Sequence, residues 1–171
     1  MKGLKGLASV IVLLGLIVCA PRTNAQIKPQ LDKFPFGTQI RPQSVRNNQN
    51  TYSKLEQGFN LLGEEKYREA IKVFSEVIKL KPNNEHAYLG RGVSYFYLED
   101  YRKAKADLDK CISIDSSIVY AYLFRGVSNY NLERKQEAIS DLQIAANLFQ
   151  EQGKPELAQQ MLEIIEQIKN A

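Results

Sequence analysis

Residues small enough to let two helices meet recur in this chain every 34 positions. Gly58, Gly92 and Gly126 form one series, and Ala70, Ala104 and Ala138 form another. A fixed period of this size means repeated supersecondary units. One such unit cannot bury its own apolar face, so several must stack into a continuous core. The clearest unit is Gly63–Asn84, a short turn, an amphipathic stretch and a Pro-Asn-Asn stop. The spacing therefore predicts an all-α chain of helical hairpins, in repeats 51–84, 85–118 and 119–152.

Within that frame, local signals place seven helices. The first is expected over Thr51–Leu62, with Asn50 as its N-cap and Gly63 closing it. The second runs over Tyr67–Leu80 and stops before Pro82. Asn84 caps a third over Glu85–Tyr97, and a fourth spans Tyr101–Ile114. Asp115-Ser116-Ser117 serves as its stop and as the next cap. The fifth covers Ile118–Asn131 and the sixth Lys135–Gln150. Gly153 breaks the chain, and Pro155 suits the first turn of a seventh helix over 155–169. Its residues Leu157, Met161, Ile164, Ile165 and Ile168 fall on one face, so it reads as a cap over the end of the stack. Arg91 and Arg125 share one repeat site, and Asp107 and Asp141 share another. In the first repeat both change together, to Gln57 and Val73. This joint change predicts a helix-to-helix ion pair in the second and third repeats.

These residues resemble the tetratricopeptide repeat. The small site is Gly58, Gly92 and Gly126, and the second-helix alanine is Ala70, Ala104 and Ala138. Tyr88 and Tyr122 match the early aromatic, where Lys54 departs. Tyr67 and Tyr101 match the aromatic at the turn, where Lys135 departs. Phe74, Leu108 and Leu142 match the large apolar site. Pro82 matches the closing proline, and Ser116 and Gln150 depart from it. The departure at Gln150 predicts that the sixth helix runs on for another turn. The resemblance covers roughly 51–152 and implies an α-solenoid of three helix-turn-helix repeats plus a C-terminal capping helix. It also implies a concave groove, lined by the first helices, that holds a partner peptide. Carried over, the groove presents Tyr52, Leu55, Phe59 and Leu62 from repeat one. Repeat two gives His86, Leu89, Val93, Phe96 and Tyr97, and repeat three gives Tyr120, Leu123, Val127, Tyr130 and Asn131. Some members hold a C-terminal carboxylate with lysine and asparagine in the first groove helix. Leu55 and Phe59 occupy those sites here, so a hydrophobic or aromatic peptide is the expected partner.

Charge narrows the function classes. The formal net charge is +4, but the first 50 residues hold seven basic residues against one acid. That leaves 16 basic against 18 acidic in 51–171, so the repeats lack the basic excess of a nucleic-acid footprint. Lys2 and Lys5 precede an uncharged run over 6–20, and Thr23-Asn24-Ala25 follows. This is the pattern of a secretory signal peptide over 1–25, which implies a periplasmic or secreted protein. The alternative is an uncleaved anchor over 6–20, which would make the chain a membrane-tethered assembly factor. Residues 26–50 carry Pro29, Pro35 and Pro42 among many Gln and Asn, and read as a flexible arm with Phe34 and Phe36 its only aromatics.

Catalytic constellations are missing from the pattern. The one histidine, His86, and the one cysteine beyond the leader, Cys111, are too few soft ligands for a zinc site. Cys111 shares its repeat site with Val77 and Ala145, which is the pattern of a buried hydrophobe. Glu64–Glu65 and Glu99–Asp100 fall in turns, where solvated acids are ordinary. No phosphate-cradling glycine loop is present. The expectation is a non-enzymatic adaptor or scaffold that binds a protein and needs no cofactor.

The leader yields the first prediction. N-terminal sequencing of native protein should find a mature chain that starts at Gln26. A chain that still starts at Met1 in the membrane fraction would support the anchor instead.

Overall fold

A computed structural model describes residues 47–170 of the chain. The expectations for 1–25, for most of 26–50 and for Cys19 lie outside those residues. Seven helices follow one another: α1 Asn47–Gly63, α2 Tyr67–Leu80, α3 Glu85–Tyr97, α4 Tyr101–Ile114, α5 Val119–Asn131, α6 Lys135–Glu151 and α7 Pro155–Asn170. Each packs against the helices before and after it in sequence. The first helices α1, α3 and α5 also touch in succession, whereas the second helices do not come as close to one another. The stack therefore curves with α1, α3 and α5 on its inner side.

Helix ends depart from expectation at three places. α1 begins at Asn47, so Asn50 lies inside it and is not its cap. Gly63 is still helical, and the left-handed residue that closes α1 is Glu65, at φ 61°. Ser117 does not cap α5; Ile118 stands there without a side-chain bond, and Asp115 accepts from the Ser117 backbone instead. Asn84 does cap α3, its Oδ1 accepting from Ala87 N–H at 2.8 Å. α6 runs to Glu151, beyond the lengths of α2 and α4, as the missing proline at Gln150 implies.

The turns repeat with the same period as the helices. Glu65, Glu99 and Glu133 all take φ near +60°, a conformation that costs a non-glycine residue about 1 kcal/mol. Each permits one closing bond: Lys66 N–H to Leu61 O at 2.8 Å, Asp100 to Tyr95 at 3.0 Å, and Arg134 to Asn129 at 2.9 Å. Gly153 (φ 69°) plays this part before α7, where Lys154 N–H donates to Phe149 O at 2.9 Å. Orphan carbonyls at four helix ends are satisfied in this way.

The small residues act as predicted. A methyl group on Gly92 would sit 3.0 Å from Leu108 Cγ, and on Gly126 3.0 Å from Leu142 Cγ. The first hairpin is tighter still. Phe74 is fully buried, and its ring fills a notch between Gly58 of α1 and Gly90 of α3; a Cβ at Gly90 would come within 2.2 Å of the ring. Leu108 and Phe124 hold the register positions of Phe74 and Gly90 one repeat later, so the large and small partners change places. Ala104, Ala138, Leu142, Ala145 and Cys111 are also fully buried.

The inferred ion pairs are present and bidentate. Arg91 Nε and Nη2 donate to Asp107 at 2.7 and 2.8 Å, and Arg125 Nε and Nη2 donate to Asp141 at 2.9 and 2.6 Å. Each arginine also reaches back one repeat. Arg91 Nη1 donates to Ser75 Oγ at 3.1 Å, and Arg125 Nη1 to Asp109 Oδ1 at 2.8 Å. The first hairpin, which lacks the pair, is bridged at its surface by Lys54 and Glu76.

At the far end, α7 buries Ala158, Met161, Ile164, Ile165 and Ile168 against α6, with Leu157 half-buried. Leu157, Met161, Ile164 and Ile165 continue the register of Leu123, Val127, Tyr130 and Asn131. The cap is thus a first helix without its partner, and its charged residues Glu156, Glu163 and Glu166 remain exposed.

The notch around Phe74 can be tested by a double-mutant cycle. Gly90→Ala should lower unfolding free energy by about 1–3 kcal/mol through overpacking. Adding Phe74→Leu, the pairing partner used one repeat later, should cost less than the sum of the two single changes. Strict additivity in urea titrations would remove the notch as the cause.

Candidate functional site

The inner side of the curve is built by α1, α3 and α5. In an α-helix the positions i, i+3, i+4 and i+7 share a face, which is how the predicted groove residues come to point the same way. Solvent reaches only some of them. Leu55, Leu89, Val93, Phe96, Leu123 and Val127 are buried, which corrects their assignment as open groove surface. Leu55 belongs to a cluster with Ala70, Phe74, Val77 and Ala87. The Phe96 ring lies 5.1 Å from Phe124 and 5.7 Å from Tyr101, both edge to face. These side chains fill the space between helices that touch, and they shape the inner face from beneath.

Tyr52, Phe59, Leu62, His86, Tyr97, Tyr120, Tyr130 and Asn131 keep partial exposure. Three of the rings pack on rings of a neighbouring helix. Phe59 meets Phe74 edge on at 5.0 Å, and Tyr120 meets Phe149 edge on at 5.7 Å. Tyr97 stacks on Tyr67 at 5.0 Å and 10° between planes. Tyr67 opens α2 and does not belong to the first-helix pattern, so spacing alone missed its place beside Tyr97. Asn131 donates from Nδ2 to Val127 O at 2.9 Å. Aromatic pairs of this geometry contribute beyond their buried area, so the inner face is a pre-positioned set of rings.

Titratable groups here are set by burial. His86 Nε2 lies 3.5 Å from Glu85 Oε1. Burial pushes the imidazolium below its ordinary pKa, with Glu85 and Asp115 pulling the other way, so the ring is mainly neutral at pH 7. Burial likewise raises the Tyr120 hydroxyl. Cys111 is fully buried and its thiol is pushed up to about 12, chiefly by desolvation. A thiol this far from ionising is a hydrophobe and not a nucleophile. Among the described residues, no three His, Cys, Asp or Glu side chains converge as a metal site.

Comparison with known proteins agrees with this geometry. A family model described as anaphase-promoting complex, cyclosome, subunit 3 matches residues 63–145. No curated protein matches the chain. Among solved structures, the second tetratricopeptide domain of human RPAP3, in complex with an HSP70 peptide, is 24% identical with a TM-score of 0.64. That match covers 72% of this chain and 98% of the other. The Arabidopsis OM64 tetratricopeptide domain is 25% identical with a TM-score of 0.64, covering 73% and 98%. The Yersinia enterocolitica type III secretion translocator chaperone SycD is 21% identical with a TM-score of 0.66, covering 71% and 92%. Taken with the hairpins, the small-residue register and the inner first helices, these likenesses show that the chain has the fold of a tetratricopeptide-type helical-repeat solenoid.

Proposed function

We propose that this chain is a non-catalytic interaction module that holds a hydrophobic or aromatic segment of a partner protein along its inner face. The observation that carries this reading is the row of half-exposed rings, Tyr52, Phe59, Tyr97, Tyr120 and Tyr130. They come from three successive first helices, and Phe59, Tyr97 and Tyr120 pack on rings of neighbouring second helices. Large rings with few rotatable bonds supply contact area at low entropic cost, which is why they concentrate binding energy in interfaces. Structural neighbours point the same way, since human RPAP3 and yeast Sti1 are solved with HSP70 or HSP90 peptides. The chemistry recognised here would differ. Leu55 and Phe59 take the sites of the lysine and asparagine used for a C-terminal carboxylate, and Leu55 is buried. The leader extends the proposal to an exported adaptor that positions another exported protein. Among the described residues no helix is long and apolar enough to cross a membrane.

Because Phe96 is core, its truncation would cost about 3–5 kcal/mol of stability and report folding instead of binding. The informative variant is Tyr97→Ala with Tyr130→Ala. A displayed random-peptide library selected on the chain should return sequences rich in Phe, Tyr and Leu. The double variant should lose them while its circular dichroism stays native. Lys72→Ala with Lys110→Ala, both exposed on second helices, should bind as the parent does. Binding retained by the tyrosine variant, or a selection dominated by acidic C-terminal sequences, would overturn the reading.

A further inference from the structure

A second surface has chemistry unlike that of the inner face. A hollow of about 300 Å³ opens between the start of α4 and the α5–α6 turn, lined by Arg102, Lys105, Leu132 and Arg134. An adjoining hollow of about 400 Å³ shares Arg102 and Leu132 and is walled by Leu98, Glu99, Asp100 and Tyr101. Sharing two residues, they adjoin as one trough, basic at one end and mixed at the other, where Leu98 and Tyr101 lie beside Glu99 and Asp100.

All three charged side chains of the smaller hollow are basic. Lys105 is partly neutralised, its Nζ 2.7 Å from Asp109 Oδ2, and Asp109 is shared with Arg125. Neither Arg102 nor Arg134 has a carboxylate within ion-pair distance among the described residues, though Arg102 helps Lys103 to lower the pKa of the Asp100 carboxyl. Of the acids nearby, Asp100 is engaged by Lys103 at 2.6 Å, and Glu99 is exposed on its left-handed turn. Repeat register makes the charge specific to this seam. One repeat earlier, Arg102, Lys105, Leu132 and Arg134 correspond to Arg68, Ile71, Leu98 and Asp100, which carry one cation and one anion.

Arg102 and Arg134 line the same hollow with no carboxylate in ion-pair contact with either, and an anion held by both would make a charge-assisted hydrogen bond to each. We propose that this trough docks an acidic peptide segment of a partner. A carboxylate would sit between Arg102 and Arg134, and a neighbouring aliphatic or aromatic side chain against Leu98, Tyr101 and Leu132. The apolar and aromatic lining residues Leu98, Tyr101 and Leu132 argue for a peptide over a bare anion. The slight acidic excess of 51–171 argues against nucleic acid. The lining of the trough includes none of the exposed inner-face rings, so the two sites are tested with different variants.

The experiment is a titration of the isotope-labelled full-length chain, followed by NMR, with the peptide acetyl-Leu-Glu-Leu-Glu-Leu-amide. The Nε–H signals of Arg102 and Arg134 and the amide signals of Leu98 and Leu132 should shift together. The same peptide with Gln in place of Glu should bind at least about tenfold more weakly, and added salt should weaken the acidic peptide. Arg102→Gln with Arg134→Gln should reproduce the tenfold loss, while Arg68→Gln with Lys135→Gln should not. Equal binding of the two peptides, shifts confined to the inner face, or no shifts at millimolar peptide would overturn the proposal. So would inorganic phosphate or a single-stranded oligonucleotide binding as tightly as the peptide, since either would show a bare-anion or nucleic-acid site.

Discussion

The close approach of first and second helices at Gly58, Gly92 and Gly126 is the constraint on which the other features depend. With no side chain at these sites, the large residue of the facing helix can press against the backbone. Leu108 and Leu142 do so in the second and third hairpins, and the Phe74 ring does so in the first. Dispersion contacts of this density hold only while the two surfaces stay complementary. The glycine series and the large apolar series therefore behave as one unit. In the first seam the unit extends to a third helix, because Gly90 opens the other side of the Phe74 notch.

Packing alone would let hairpins slide along one another, since aliphatic contacts are not directional. The arginines supply direction. Arg91 and Arg125 are clamped in their own hairpins by Asp107 and Asp141, which are 7% and 4% exposed, and each also reaches back to the preceding hairpin. A buried pair adds little net stability, because desolvation offsets the attraction, yet breaking one partner is costly. Such a pair favours one register over its neighbours. The same guanidiniums lie over Tyr88 and Tyr122 of their own helices, at 5.7 and 5.4 Å from the ring centres.

With the frame set this way, the surfaces are free to vary. The inner face keeps aromatic rings on a firm base, and the turn edge gathers cations from two different repeats. Solenoid folds carry function in such surfaces and not in the scaffold itself. If both proposed sites are filled, an apolar segment on one face and an acidic segment on the other would add as linked contacts when one partner supplies both.

Much of this could be read from the sequence. The 34-residue period, the small-residue sites, the paired change of Arg91 with Asp107 and the stripe on 155–169 all follow from side-chain size and helical spacing. Those are local properties that one chain displays in order. Three features were decided only when the helices met. Left-handed turns fell to Glu65, Glu99 and Glu133 and not to Gly63, because a shared closing bond sets the backbone there. Leu55, Leu89, Val93, Phe96, Leu123 and Val127 became buried, because spacing tells which residues share a face and not how close the next helix comes. Arg102 and Arg134, 32 positions apart in the chain, came to line one hollow only when the start of α4 met the α5–α6 turn. Sequence thus determined which residues repeat and which face each one takes. Tertiary packing decided which faces solvent can still reach, because that depends on distances between residues a full repeat apart.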